Sequence, residues 1–181
     1  MCTHTKLGKI ADIITGPFGS QLHMSDYIDE GIPVIMPQNI ENRTFNLEQI
    51  AKISESNYKR LFRYSTQKND IIYARRGDVE KHAFITNDEK ALCGTGCLRV
   101  RVFDKDVFPP YLSFYLDRNE TRKWIVSHAV GTNMANLNTS ILSDVPLKYP
   151  SYNEQVKIVA ILESLEKKIS SNTRINDNLV A

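Results

Sequence analysis

The sequence predicts an α+β protein, with a mixed, sheet-rich domain over residues 1–150 and a long C-terminal coiled-coil helix over residues 151–181. Three observations predict it. Short apolar runs bounded by Gly and Pro recur through the first hundred residues, as strands and turns do. After Pro109-Pro110 the apolar spacing becomes helical. From Ser151 onward a stripe returns every three or four residues almost to the end, apolar in its first half and carrying two asparagines later.

In chain order, Leu7 to Ile14 alternates and reads as one strand, stopped by Gly16-Pro17. The polar stretch SQLHMSDYIDE reads as loop, and GIPVIMP as a second strand closed by Pro37. NLEQIAKISESNYKRLFRY mixes helical spacing with breaks. DIIYARRGD reads as a strand running into a polar turn at Arg75 to Asp78. AFITNDEKALCGTGCLRVRVF reads as a hairpin turning at Asn87-Asp88; in it Leu98, Val100 and Val102 share one face, Arg99 and Arg101 the other. PPYLSFYLDRNETRKWIVSHAVG reads as a helix, with Pro at its first turn and Gly131 past its end. A Gly- and Asn-rich loop follows, then a short element at Thr139 to Leu142 and an extended piece ending at Pro150.

The last helix has a capping box at its start, Ser151 with Glu154. Ile158, Leu162, Leu165, Ile169, Asn172, Asn176 and Leu179 follow a heptad seam, while Val156, Val159 and Ile161 widen the stripe toward a docking face on the domain. At 1.5 Å per residue the helix runs about 43 Å, so its far half is expected to project beyond a domain with a radius of gyration of about 15 Å.

Composition narrows the function. Hydrophobic content of 41% and charged content of 24% are those of an ordinary globular protein. There is no apolar run long enough to span a membrane and no secretory h-region, and three cysteines make no disulfide framework; a cytoplasmic setting is expected. The net charge of +2 is too small to argue for nucleic acid by itself. Its distribution says more. From Asn57 to Lys81 seven bases face three acids, whereas the last 31 residues carry four of each. A solvated face would also account for that excess.

Catalytic signatures are missing. No G-x-G-x-x-G follows a strand, and there is no P-loop or Asn-Pro-Pro-aromatic stretch. Cys93 and Cys97 have no second pair at metal-ligand spacing, and His4, His23, His82 and His128 are scattered. Glu166-Lys167-Lys168 has a nuclease-like spacing but lies on a helix face. A binding module without metal or cofactor of its own is therefore expected. Arg75 and Arg76, at a strand end, suit guanine edges or phosphates. Lys59, Arg60 and Arg63 suit phosphate steering. Gln38, Asn39, Lys81, Asn133 and Asn136 complete the candidate DNA contacts, although Asn in loops is more often a turn-former.

In this order, IADIITGPFGS, GIPVIMPQNI, DIIYARRGD, GTNMANLNTSIL, VPLKYPSYNEQVKIVAILESLEKKI and NTRIND resemble the DNA specificity subunit of type I restriction-modification systems. The likeness covers about residues 7 to 179 and is strongest from Gly131 to Ile175. It implies a target recognition domain (1–150) and a spacer or dimerisation helix (151–181). It also implies double-stranded DNA as ligand, a modification subunit that methylates adenine with S-adenosylmethionine, and a restriction subunit that uses ATP and Mg. Family subunits usually carry two such units with antiparallel helices. This chain has one, so it is either a half-subunit that pairs with itself or another half, or a piece of a longer chain. A protein-only adaptor stays open as the alternative.

Overall fold

The computed structural model describes residues 2–131 and 135–180, without the side chains of residues 177, 179 and 180. Strand β1 (Thr3–Lys6) leads through a tight turn at Leu7–Lys9 into β2 (Ala11–Thr15). The continuous strand expected from Leu7 to Ile14 is thus broken. Leu7 and Ile10 are both buried; three residues apart, they would face opposite sides of a strand, and the turn brings both into the core. Then come β3 (Tyr27–Ile28), β4 (Ile32–Ile35), β5 (Lys52–Ile53), α1 (Glu55–Arg60), β6 (Ile71–Ala74), β7 (His82–Phe84), β8 (Leu92–Cys93) and β9 (Cys97–Val102). After them lie α2 (Pro109–Leu116), α3 (Asn119–His128), α4 (Thr139–Ser143), β10 (Pro146–Tyr149) and α5 (Tyr152–Val180).

The main sheet is antiparallel, in the order β2-β9-β6-β7. A second sheet runs β3-β5-β4-β8, with β4 and β8 parallel. β1 and β10 form a separate ribbon. The expected hairpin at Asn87-Asp88 does not form. β7 pairs with β6, β8 crosses to β4, and β9 inserts between β2 and β6. Alternation within a strand says which face is apolar, not which neighbour it takes.

On β9, Leu98 and Val100 enter the main core with Ile71, Tyr73, Leu112, Leu116 and Leu147. Its arginine face is also covered. Arg101 forks onto the buried Asp70 carboxylate at 2.8 and 2.7 Å. Arg99, 5% exposed, donates to the carbonyls of Arg63 and Ser65 at 3.0 and 2.7 Å. These arginines staple the segment after α1 onto the sheet.

The single helix expected after Pro109-Pro110 is two, α2 and α3, parted at Asp117-Arg118. Arg118 takes an extended ψ of 143°, which turns α3 back so that Ile125 reaches the same core. α5 starts as expected: Ser151 N–H and Oγ–H both donate to Glu154 Oε2, at 3.1 and 2.7 Å. Those bonds hold the Glu154 carboxyl below its ordinary range.

Two features dock α5. Gln155 is fully buried; its Oε1 accepts from Phe108 N–H at 2.8 Å, and its Nε2 donates to Asp106 O and Pro150 O, both at 2.9 Å. Val159, 3% exposed, follows one turn later. Leu162 and Glu166 continue this inward face, which corrects the expected seam: Leu162 turns toward the domain, and Ile161, 63% exposed, takes its place outside. Val156 is also exposed and does not dock. The outward stripe is Ile158, Ile161, Leu165, Asn172 and Asn176, while Ile169, 66% exposed, lines the cleft between α5 and the turn that carries Arg43. The Leu179 side chain lies outside the described residues.

Candidate nucleic-acid interface

Five chain segments meet at one end of the two sheets. β4 and β8 run parallel and end together, with Gly94 N–H donating to Ile35 O at 2.9 Å. Gly16 N–H donates to Cys97 O at 2.9 Å, which brings the end of β2 alongside. Gly16 packs so closely there that a Cβ would lie 2.1 Å from Gly94 O, so this approach requires glycine. Thr95 Oγ1 donates to Pro17 O at 2.9 Å, tying the two loops a second time. The end of β6 joins through Arg75 N–H to Gly96 O, 2.8 Å. The Gly/Asn loop joins last: Leu137 N–H donates to Arg75 O at 2.8 Å, and Arg76 forms a bridge with Asn136. These backbone bonds build a rim from Gly16–Phe18, Pro37–Asn39, Arg75–Gly77, Gly94–Gly96 and the segment around Asn136.

The candidates divide on this rim. Arg76 and Gln38 are exposed on it. Arg75 is half-buried, and its Nε is enclosed without a partner, as is Asn136 Oδ1 on the bridged segment. Asn39 turns inward. It is 4% exposed and its Oδ1 accepts from Met36 N–H at 3.0 Å, so it closes a turn rather than facing a ligand. Lys81 sits at the far end of the β6–β7 turn, paired with Asp78 at 2.5 Å. That bond raises the Lys81 ammonium above its ordinary range. Asn133 lies outside the described residues.

A second group lies on α1 and the turn after it. Lys59 and Arg63 are exposed. Arg60 is occupied internally: it donates to Gln21 O at 2.7 Å and Asn57 Oδ1 at 2.9 Å, and pairs with Asp26 at 3.3 Å. Arg63 connects with the rim through a cleft of about 360 Å³ that also takes in Thr15, Phe18 and Thr139. Phe18, 60% exposed, stands between rim and cleft. Phe18 and Thr95 join the site only through the fold. Their signal, an apolar ring after Gly-Pro and a hydroxyl between two glycines, reads as ordinary turn chemistry until the loops converge.

Among the described residues no group of three or more His, Cys, Asp or Glu could hold a metal ion. No described helix is long and apolar enough to cross a membrane.

Residues 3–181 match the sequence profile of the type I restriction modification DNA specificity domain. The chain belongs to this family. It is 24% identical over 160 residues to the type I restriction enzyme EcoBI specificity subunit of Escherichia coli, a match covering 84% of this chain and 34% of that one. It is 26% identical over 117 residues to the HindI specificity subunit of Haemophilus influenzae, covering 62% and 26%. The chain therefore spans about a third or less of the curated relatives it matches. Similar folds include a chain from a type I R-M system studied for complex assembly and conformational transition (TM-score 0.71, 18% identity, 96% of this chain and 40% of that one). Another is the HsdS subunit of Thermoanaerobacter tengcongensis (TM-score 0.68, 18% identity, 96% and 39%). A third is the S subunit from M. genitalium (TM-score 0.67, 16% identity, 94% and 40%). The specificity-domain family thus accounts for both the sheet-rich body and the terminal helix.

Proposed function

We propose that this chain is a target recognition unit that reads one half of a split double-stranded DNA site for a type I restriction-modification assembly. The observation that carries the reading is the rim itself: five segments cross-bonded into one surface presenting Arg76 and Gln38, with Arg63 reached through the adjoining cleft and Lys59 exposed on α1. Arg76 offers a fork for a guanine edge or a phosphate, and Gln38 an amide for an adenine edge. Lys59 and Arg63 supply non-specific phosphate attraction. Methyl transfer from S-adenosylmethionine belongs to a partner modification subunit, and ATP- and Mg-dependent cleavage to a restriction subunit, both meeting this chain in the cytoplasm.

The outward stripe of α5 supports pairing with an equivalent helix. Two copies related by a two-fold axis would recognise an interrupted palindrome. The one-third coverage of the longer relatives supports a second arrangement, in which the partner helix belongs to another unit and the half-sites differ.

The test is genome-wide adenine methylation in cells expressing this chain with its cognate modification subunit. A new split motif with mirror-image halves is expected; unlike halves would identify a different second unit. No motif from soluble, expressed proteins would refute DNA reading. Arg76→Ala is expected to cost about 1–3 kcal/mol of specific affinity and to relax one base position if the fork reads a base. It is expected to weaken all sequences alike and lower the salt slope by about 1 if it holds phosphate.

A further inference from the structure

Side chains from the sheet, α2 and α5 meet where the helix crosses the domain. Arg43 stands in the turn closed by Glu41 N–H to Thr44 O at 2.9 Å. Its φ of +57° is a conformation that side-chain-bearing residues rarely adopt. The turn is pinned to β7, where Phe84 N–H donates to Arg43 O at 3.2 Å.

The guanidinium makes three contacts. Nε donates to Ser113 Oγ of α2 at 3.1 Å, Cζ lies 3.3 Å from the Phe114 ring centroid, and Nη1 pairs with Glu166 of α5. The Arg43 side chain is only 11% exposed. Behind Ser113, His82 Nε2 lies 3.1 Å from Oγ, and its ring packs on Tyr73 of β6 with centroids 5.0 Å apart. A continuous series of contacts therefore joins β6, the strand that leads into Arg75-Arg76, to the middle of α5.

We propose that Arg43 is a positioning residue that locks the tilt of α5 against the recognition domain, and so sets which spacing between DNA half-sites is accepted. The spacing clause rests on the DNA-reading function proposed above.

Beyond its anchor, α5 acts as a lever. Gln155 anchors the start of α5, and Glu166 lies about 16 Å further along at 1.5 Å per residue. Val180 lies about 37 Å from the same anchor. A tilt of about 5° about Gln155 moves Glu166 by about 1.4 Å, enough to break a charge-assisted hydrogen bond. The same tilt moves the helix end by about 3.3 Å, close to the 3.4 Å rise of one base pair. The contact made by Arg43 therefore has the tolerance needed to distinguish neighbouring spacings.

Two measurements test this. In the first, the full chain carries Cys2→Ser, with spin labels at Lys68→Cys and Ser171→Cys, and is diluted with unlabelled chain so that distances are intramolecular. The parent is expected to give a narrow distance distribution, broadened at least twofold by Arg43→Ala and by Glu166→Gln. Arg43→Lys, which keeps a cation within reach of Glu166, restores part of the narrowing. An unchanged distribution in Arg43→Ala overturns the proposal. If that variant does not fold, Glu166→Gln, altered on the half-exposed helix side, decides alone. In the second, methylation is mapped with the modification subunit. Arg43→Ala is expected to keep the half-site bases while methylation at spacings one base pair longer or shorter rises at least tenfold. Altered bases or an unchanged spacing would contradict the proposed role. A parent chain that yields no motif refutes the DNA reading, and the label distances still judge the lock.

Discussion

His82 makes the fold acid-sensitive, and the size of the effect follows from its surroundings. Burial, with the nearby Arg43 guanidinium adding to it, pushes the imidazole down to about 3. In the unfolded chain it titrates near 6.5. The unfolded state therefore takes up a proton below about pH 6.5 that the folded state refuses. Stability is fully present above that pH and is lost as pH falls toward 3. At pH 5.0 the difference is 1.5 pH units on the unfolded side, or about 2 kcal/mol. The folded value scarcely enters, because it lies well below pH 5. The assay is urea unfolding of the parent and of His82→Phe at pH 7.5 and 5.0. Phenylalanine keeps an aromatic ring against Tyr73 and removes the titration. With a slope of about 2 kcal/mol/M, the parent midpoint is expected to fall about 1 M further than that of the variant. Other titrating groups cancel in this comparison. An equal fall in both proteins would refute the claim that His82 is held neutral.

Three further outcomes are expected. Gln155→Leu keeps the volume but leaves Phe108 N–H and the carbonyls of Asp106 and Pro150 without partners; a loss of about 2–4 kcal/mol in chemical unfolding is expected. Gly16→Ala drives a Cβ against Gly94 O and is expected to lower the melting temperature by several degrees for a cost of about 2 kcal/mol. Leu165→Asp alters a half-exposed outward position, so the domain's stability should change by less than about 0.5 kcal/mol. In sedimentation the same change should weaken helix pairing at least tenfold; unaltered association would move the pairing surface elsewhere.

Local patterns were legible where one segment carries the whole signal. The Ile71–Ala74 strand, the Pro-started helix at 109 and the helix from Tyr152 each follow from their own spacing and punctuation. Pairing partners were not legible, because the alternation in CLRVRV is the same whether its neighbour is a hairpin mate or a distant strand. The site divided similarly. Arg76 and Gln38 sit after strand ends and face outward, but Asn39, in the same turn, is consumed by a backbone cap. Arg60 and Arg63, three residues apart, differ because Gln21, Asn57 and Asp26 arrive from elsewhere to occupy one of them. Arg43 had no local signal: it is a lone arginine in a polar turn, and what distinguishes it is Ser113, Phe114 and Glu166.

The sequence by itself determined the α+β class, the terminal helix and membership of a specificity-domain family, because periodicity, capping and ordered motifs are properties of the chain alone. Only the tertiary structure decided that the loops after β2, β4 and β6 form one rim, and that Leu162 turns in while Ile161 turns out. The physical reason is the same in both cases. A heptad-like stripe is equally apolar toward a domain and toward a partner helix, and a polar loop is equally polar toward solvent and toward another loop. Burial is conferred by what packs against a residue, and those neighbours are distant in the chain.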